Sequence, residues 1–321
     1  MIAQGPEREQ APEREARRVG STRALPRILV TGASGQLGFE LARTLAPLGD
    51  VIATDRAALD LADADAIVAA MRAHTPAVVV NAAAYTAVDQ AERDEAQAHA
   101  INAIAPGILA EQAHRIGALL VHYSTDYVFD GRQAEPYAED APTNPVNAYG
   151  RSKLAGEQAI AATGATAFVF RTSWVYADRG RNFLLTMRRL AGEREEIRVV
   201  DDQRGTPNWS RALARATSRV LTRDREWLAA RTGVYNMTST GATTWFGFAQ
   251  AIIGDLQQDV ARDAKVARVL PINTAQYPTP AARPANSVLD DRRFTSTFGF
   301  ALPAWQEALA ECLSGMDDNG R

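Results

Sequence analysis

The chain has 321 residues, of which 46% are hydrophobic, so it has enough apolar side chains for a globular core and is not globally disordered. Its net charge is only −3, with acidic and basic residues mixed, which argues against nucleic-acid or anionic-membrane binding. No apolar run reaches the roughly 18 residues of a membrane-spanning helix.

The two ends of the chain add little chemistry. Residues 1–26 are rich in Glu, Arg, Gln and Pro and lack the apolar stretch of a signal peptide, so we expect a disordered extension. The one cysteine, Cys312, allows no disulfide within the chain, which favours a reducing, cytoplasmic location. The four histidines have no metal-ligand spacing, and no metal site is expected.

From Arg27 onward, apolar runs alternate with helical patterns. The predicted strands are Arg27–Gly32, Val51–Asp55, Ala77–Ala83, Leu119–Thr125 and Ala167–Ser173. The predicted helices are Gln36–Ala46, Asp63–Ala73, Asp89–His114 (in which Pro106 favours a break) and Asn147–Ala162. Continuous apolar strands alternating with helices are typical of a sheet covered on both faces. They predict an α/β fold for residues 27–173, a Rossmann-type doubly wound parallel sheet that binds a dinucleotide.

After Ser173 the pattern becomes less regular. The predicted helices Asn182–Glu193, Trp209–Thr222 and Thr244–Leu256 are separated by loops that contain Gly and Pro. Residues 271–284 hold four prolines, as segments that line a site or join domains often do. We expect residues 174–321 to form a smaller, mostly helical substrate domain, with some segments returning to the sheet.

A glycine-rich turn follows the first predicted strand. In Thr31–Gly38 the glycines have the spacing G-x-x-G-x-x-G. Gly32 permits a tight turn, Gly35 lets the backbone approach a pyrophosphate, and Gly38 allows close packing of helix on strand. The start of the helix adds free N–H groups and a partial positive charge. The segment predicts a dinucleotide-binding turn, and an ordinary turn at a helix start is the alternative.

The ends of the second and third strands suggest the rest of the dinucleotide site. Asp55 can accept hydrogen bonds from both ribose hydroxyls, which favours NADH, whereas Arg56 can meet the 2′-phosphate of NADPH. The choice between the two coenzymes stays open. The small residues after Asn81 leave room for the cofactor, or serve only close packing.

The sequence Tyr149-Gly150-Arg151-Ser152-Lys153 carries the catalytic prediction. Residues four apart share one face of a helix, so Tyr149 and Lys153 can point into one cleft. Reduction of a carbonyl by hydride needs a proton for the developing alkoxide. Tyrosine, with a pKa near 10, gains from an ammonium group that stabilises its phenolate. Thr125, at the end of the fourth strand, offers a hydroxyl for the reacting oxygen.

This combination resembles the extended short-chain dehydrogenase/reductase superfamily over the first 175 residues. Longer strings resemble the dTDP-4-dehydrorhamnose reductase family, from about Ile28 to Trp305. These strings are residues 81–89 (NAAAYTAVD), 122–129 (HYSTDYVF), 149–157 (YGRSKLAGE), 170–176 (FRTSWVY) and 277–287 (YPTPAARPANS).

The resemblance implies a reaction and a set of roles. Hydride passes from NADPH or NADH to C4 of dTDP-4-dehydro-L-rhamnose, giving dTDP-L-rhamnose for cell-envelope polysaccharide. Tyr149 is then the proton donor, Lys153 its electrostatic partner and ribose ligand, and Thr125 the orienting hydroxyl. The expected cofactor-binding residues are Gly32, Ser34, Gly35, Gln36, Leu37, Asp55, Asp60, Leu61, Ala82, Ala84, Tyr85, Thr86, Tyr149 and Lys153.

The resemblance also implies substrate contacts. Beside Thr125 we expect Asp126 to bind substrate, and Trp174 to pack against the deoxysugar, although Trp174 also suits a core position. Arg283 and Asn286 are expected at the nucleotide diphosphate, because Arg offers a bidentate fork to phosphate. A plain salt bridge is the competing interpretation of Arg283.

The chain departs from the family pattern in several places. Tyr85 stands where relatives often carry His, and Asn208 where Thr is usual. Some relatives dimerise through a magnesium site made of glutamates. Glu40 matches one ligand, but Arg211 occupies another position, where a cation would be repelled. We therefore expect no metal, and a monomer or a weak homodimer.

Two other functions remain open. One is a reductase or epimerase of another nucleotide 4-keto-deoxysugar on the same scaffold. The other belongs to a different class, a non-catalytic nucleotide-sugar-binding regulatory subunit, and the presence of both Tyr149 and Lys153 argues against it. In each case the partner is a small molecule and neither nucleic acid nor membrane.

Overall fold

The structure is a computed structural model that describes residues 25–259 and 267–319, so the predicted N-terminal extension lies outside the described residues apart from its last two. The strands are β1 Arg27–Thr31, β2 Asp50–Thr54, β3 Val78–Asn81, β4 Leu119–Thr125, β5 Ala167–Thr172, β6 Val175–Tyr176, β7 Glu196–Val200, β8 Arg204–Gly205, β9 Asn208–Trp209, β10 Gly233–Asn236, β11 Thr243–Thr244 and β12 Arg268–Ile272. The α-helices are α1 Gln36–Leu45, α2 Ala64–His74, α3 Val88–Ala91, α4 Glu95–His99, α5 Ala105–Ile116, α6 Ala148–Ala162, α7 Phe183–Glu193, α8 Ser210–Leu221, α9 Arg225–Ala229, α10 Trp245–Asp259, α11 Arg292–Phe298 and α12 Trp305–Asn319.

The central sheet has six parallel strands in the order β10-β5-β4-β3-β1-β2. Its two faces are buried separately, because successive side chains of a strand point to opposite sides. Ile28 and Val30 of β1 pack in the cluster that includes α1 and α8, whereas Leu29 packs in the cluster with α2 and α5. The predicted Rossmann-type doubly wound sheet is therefore confirmed.

One strand of this sheet and one helical region differ from the sequence prediction. The sixth strand, β10, was not predicted, and it pairs with β5 late in the chain, so that a C-terminal segment returns to the sheet. The prediction of helix over Asp89–His114 with a break near Pro106 is wrong about the break. The chain forms α3, leaves the helix at residues 92–94, and then continues through α4, a π-helical segment Ala100–Ile104 and α5 without interruption at Pro106.

A second core lies beside the sheet. It joins α7, α10, α12 and the parallel pair β7–β12, and it contains Trp209, Phe248, Ile252, Leu309 and Cys312. Short two-stranded pairings, β6 with β9 and β8 with β11, connect this layer to the loops that follow β5. Within the described ranges, no helix is long and apolar enough to cross a membrane.

Candidate active site

A cavity of about 630 Å³ runs along the carboxyl ends of the central strands. Every residue that was predicted to bind the dinucleotide lines it: Gly32, Ser34, Gly35, Gln36, Leu37, Asp55, Asp60, Leu61, Ala82, Ala84, Tyr85, Thr86, Tyr149 and Lys153. The glycine turn and the Tyr–Lys pair therefore line one continuous space, as the predicted dinucleotide site requires.

The glycine turn fits a pyrophosphate. Gly32 has a φ of +70°, and a Cβ at this position would lie 2.8 Å from the backbone of Ala83, so only glycine fits. Gly35 is the N-cap of α1 and has no side chain to cover the first N–H groups of the helix. Those free N–H groups, together with the positive end of the helix dipole, suit an anion.

The end of the cavity after β2 holds the carboxylates of Asp55 and Asp60 and the guanidinium of Arg56. Asp55 Oδ1 accepts hydrogen bonds from the backbone N–H groups of Ala57 and Ala58, both at 3.0 Å, which leaves Oδ2 for a ribose hydroxyl. The side chain of Arg56 is 77% exposed and lies 3.7 Å from Asp60. Such an exposed guanidinium is free to turn towards a 2′-phosphate.

Tyr149 lies in the first turn of α6. Asn147 caps this helix, because its Oδ1 accepts a hydrogen bond from the N–H of Gly150 at 2.8 Å. The ring of Tyr149 contacts that of Tyr127 edge-on, with 5.8 Å between centroids. Burial raises the pKa of Tyr149 to about 12, the Thr125 hydroxyl opposes this rise, and the Asp126 carboxyl adds to it. Tyr149 is thus protonated at neutral pH, as an acid must be.

Thr125 and Asp126 are coupled at the end of β4. Both are buried, and Thr125 Oγ1 donates a hydrogen bond to Asp126 Oδ1 at 2.9 Å. Burial raises the pKa of Asp126 to about 6, partly offset by hydrogen bonds such as that from Thr125. Among the described residues, Asp126 Oδ2 has no hydrogen-bond partner. The pair lies next to Tyr149, as the predicted substrate contacts require, although neither residue lines the dinucleotide cavity.

Lys153 is almost completely buried. Its Nζ lies 3.1 Å from His122 Nε2 and donates to the backbone oxygen of Tyr123 at 2.6 Å. Burial lowers the pKa of Lys153 to about 8, and the nearby Glu157 carboxylate works in the opposite direction. The lysine therefore titrates close to physiological pH.

A second cavity, of about 590 Å³, lies on the side of the helical layer and is lined by Trp245, Tyr277 and Arg283 among others. Trp174 stacks on Trp245 with 3.6 Å between ring centroids. Trp174 has a φ of +42°, which is strained for a bulky residue. A Cβ on Gly205 would lie 2.4 Å from the Trp174 ring, so glycine is needed there. Trp174 is partly buried and held in a fixed orientation, but it lines neither cavity itself, and its contact with the deoxysugar stays a prediction.

The two predicted diphosphate ligands differ in position. Arg283 lines the second cavity and also forms a bidentate ion pair with Asp89, at 3.0 and 2.8 Å, the salt bridge that the competing interpretation required. Asn286 lines neither cavity. It is buried, and its Nδ2 donates to the backbone oxygen of Gln133 at 2.8 Å, which ties two loops together.

Some residues of the site were missed by the sequence analysis. Asn102, in the π-helical segment, binds both backbone polar groups of Tyr85 and donates to Ser152 on α6, so it joins the cofactor wall to the catalytic helix. Trp245 and His122 were also missed. A buried polar residue in an apolar strand was the available signal for His122, whereas nothing local distinguishes Trp245.

Both residues that depart from the family pattern, Tyr85 and Asn208, form hydrogen bonds within the protein. Tyr85 donates to Asp94 at 3.1 Å, and Asn208 donates to the backbone oxygens of Ser173 and Thr206 at 2.8 and 2.9 Å.

The position of Arg211 gives the reason for expecting no metal. Its guanidinium binds both carboxylate oxygens of the buried Glu40 at 3.1 Å and also reaches Asp178 at 3.4 Å. Glu40 thus has a cationic partner within the protein, and the absence of a metal stays a prediction.

Comparisons with known proteins agree with this geometry. The family model described as RmlD substrate binding domain matches residues 26–317. A dTDP-4-dehydrorhamnose reductase of Burkholderia thailandensis is 51% identical over 291 residues, covering 89% of this chain and 98% of that protein. A probable dTDP-4,6-dihydroxy-2-methyloxan-3-one 4-ketoreductase of Streptomyces antibioticus is 45% identical, covering 89% and 94%. A structure of dTDP-4-dehydrorhamnose reductase from Bacillus anthracis in complex with NADP has a TM-score of 0.83 at 35% identity, covering 90% of this chain and 99% of that one.

Proposed function

The chain belongs to the dTDP-4-dehydrorhamnose reductase family, and we propose that it catalyses the last reduction that makes dTDP-L-rhamnose. The substrate is dTDP-4-dehydro-L-rhamnose, the reducing coenzyme is NADPH or NADH, and the carbonyl at C4 becomes a hydroxyl. One observation supports this most strongly: the cavity that begins at the glycine turn ends at Tyr149 and Lys153.

The chain's own residues supply everything except the hydride. When bound, NADPH or NADH supplies the hydride that adds to C4. Tyr149 gives its phenolic proton to the C4 oxygen, so that the alkoxide is neutralised as it forms. Thr125 orients that oxygen by a hydrogen bond. Lys153 brings a positive charge that stabilises the resulting phenolate and holds the nicotinamide ribose.

In this proposal the sugar nucleotide binds in the second cavity. The Trp174–Trp245 stack offers an apolar face to the methyl group and ring of the deoxysugar. Arg283 binds the diphosphate after exchanging its ion pair with Asp89 for the substrate. Asp126 supports the site by accepting the hydrogen bond of the Thr125 hydroxyl, and Asn286 supports it by tying two loops together.

The substrate is tested by the reverse reaction. The purified protein is incubated with NAD⁺ or NADP⁺ and one of several nucleotide-linked deoxysugars, and the nicotinamide absorbance is followed. Reduction with dTDP-L-rhamnose above all others supports the proposal. Turnover of a different sugar alone would keep the chemistry and assign the second candidate, a reductase of another 4-keto sugar, which the Streptomyces antibioticus relative favours.

Two further proposals concern the oligomeric state of the protein and its cellular compartment. The Glu40–Arg211 ion pair leaves no role for a bridging metal, and we propose a monomer or a weak homodimer. The single cysteine, buried and unpaired, suits the cytoplasm. Sedimentation with and without Mg²⁺ tests the first point: a dimer that depends on Mg²⁺ would contradict it.

A further inference from the structure

A ladder of buried polar side chains crosses three neighbouring strands beneath the catalytic lysine. Thr31, Asn81 and His122 occupy paired register positions on β1, β3 and β4, so their side chains lie on the same face of the sheet. Thr31 Oγ1 lies 2.7 Å from Asn81 Oδ1, and Asn81 Nδ2 lies 3.0 Å from His122 Nδ1. All three are at most 1% exposed. The ladder begins beside Gly32 and ends at Lys153 Nζ, 3.1 Å from His122 Nε2.

We propose that His122 is the positioning residue of Lys153: its neutral imidazole presents the Nε2 lone pair to the ammonium group and keeps Lys153 charged although it is buried. The proposal rests on the proposed function, in which the charge of Lys153 stabilises the Tyr149 phenolate. A buried ammonium needs acceptors for its three protons. His122 Nε2 and the Tyr123 backbone oxygen provide two of them inside the protein.

The neutral state of His122 follows from its surroundings. Burial lowers the pKa of His122 well below its ordinary value, and the charge of Lys153 lowers it further. The ring therefore carries one proton. When Nε2 accepts from the ammonium, the ring proton must sit on Nδ1 and donate to Asn81 Oδ1. The Asn81 amide must then turn over and give up the hydrogen bonds that Oδ1 accepts from Thr31 Oγ1 at 2.7 Å and from the Ala83 N–H at 3.3 Å. With the amide as it stands, Nδ2 faces Nδ1, which suits Lys153 as the free amine. The direction of the ladder thus changes with the charge of Lys153.

The other charged or titratable groups around the pair are few. From α6 they are Tyr149 and Glu157, from the end of β4 Asp126, and from β5 Arg171, which is already paired with Glu157. Among the described residues, those that continue the ladder on β1 and β3 are the uncharged Thr31 and Asn81. His122 is therefore the group on the sheet side through which the charge of Lys153 can be adjusted.

The chain is well suited to a direct test, because it contains only two lysines, Lys153 and Lys265, and four histidines. Lysine labelled with ¹³C and ¹⁵N gives two side-chain titration curves by NMR, without substrate or turnover. We compare the full-length protein with His122→Phe, which removes the acceptor, and His122→Gln, which keeps an amide oxygen near the position of Nε2. Thr217→Val is the matched control, since it removes a buried hydroxyl that contacts Tyr123 from α8 and does not touch Lys153.

We expect Lys153 to titrate near 8 in the wild type and roughly one unit lower in His122→Phe, since a hydrogen bond to a charged group is worth about one to two pKa units. His122→Gln should stay within a few tenths of a unit of the wild type. Thr217→Val should lower the thermal midpoint without moving the titration. An unchanged titration in His122→Phe, with lower stability alone, would overturn the proposal and make His122 a core residue only.

A second measurement covers the case in which His122→Phe does not fold. The ¹⁵N signals of the wild-type His122 ring show which nitrogen carries the proton. We expect Nε2 to lack a proton below the Lys153 midpoint and to gain one above it. An imidazolium, or a proton on Nε2 at pH 6, would overturn the proposal. Because neither measurement uses turnover, a failed reductase assay would affect the proposed function and leave this result to stand separately.

Discussion

The ion pair between Arg171 and Glu157 anchors the catalytic helix to the sheet. Arg171 on β5 donates to both carboxylate oxygens of Glu157 on α6, at 2.9 and 2.6 Å, and to the backbone oxygen of Glu139 at 3.0 Å. The two side chains are only 5% and 6% exposed. Glu157 lies one turn after Lys153, so this contact helps to fix the position of the lysine.

We predict that Arg171→Met lowers the free energy of unfolding by about 3–5 kcal/mol, because it leaves the carboxylate of Glu157 buried without a partner. Glu157→Gln should also destabilise, and the double variant should lose much less than the sum of the two single losses. Urea unfolding followed by fluorescence gives the three values and their coupling energy.

The matched control is Arg115→Met, because Arg115 forms an ion pair with Glu111 in which the side chains are 58% and 50% exposed. That exposed pair should be worth at most about 1 kcal/mol. A coupling energy below about 0.5 kcal/mol between Arg171 and Glu157 would refute the reasoning, since the pair would then behave like one in solvent.

Asp126, Gly205 and Arg56 each support a further prediction. Burial raises the pKa of Asp126 to about 6, so its contribution to stability is present below about pH 4 and is lost as the pH rises through 6. Asp126→Asn should therefore stabilise the protein by up to about 3 kcal/mol at pH 7.5 and not at pH 4, as measured by thermal unfolding. A gain that is equal at both pH values would contradict this. Gly205→Ala should displace the Trp174 ring and raise the KM for dTDP-L-rhamnose about tenfold, a loss of ~1.4 kcal/mol, while the KM for NADP⁺ stays within about twofold. Equal changes in both KM values would indicate general misfolding instead. Arg56→Ala should raise the KM for NADP⁺ about tenfold and leave that for NAD⁺ unchanged, and a parallel change in both would remove the 2′-phosphate role.

The sequence predicted the elements that follow strong local patterns. The five apolar strands, the glycine turn and the start of α6 were all identified, because continuous apolar runs and glycine spacing are fixed by neighbours in the chain. The dinucleotide residues follow from that order, since they lie on the turns after successive parallel strands. The observed cavity includes all of them.

What the sequence did not predict depends on distant contacts. The four-residue strand β10 is defined by its pairing with β5, more than sixty positions earlier, rather than by its own composition. The interruption of the helix at residues 92–94 was not predicted, and neither was the π-helical segment Ala100–Ile104, in which Asn102 hydrogen-bonds the backbone of Tyr85. The stack of Trp245 on Trp174, and the contact of His122 with Lys153, likewise join residues far apart in the chain.

In the proposed reaction, Tyr149 is the acid of a reductase whose coenzyme site is complete. The most direct test measures oxidation of dTDP-L-rhamnose by NADP⁺ in the wild type and in Tyr149→Phe, with NADPH binding measured for both by fluorescence. We predict a loss of turnover of at least about 100-fold in the variant, the usual contribution of a general acid or base, with NADPH affinity within about threefold. Turnover by Tyr149→Phe close to that of the wild type, with NADPH binding intact, would show that Tyr149 is not the acid.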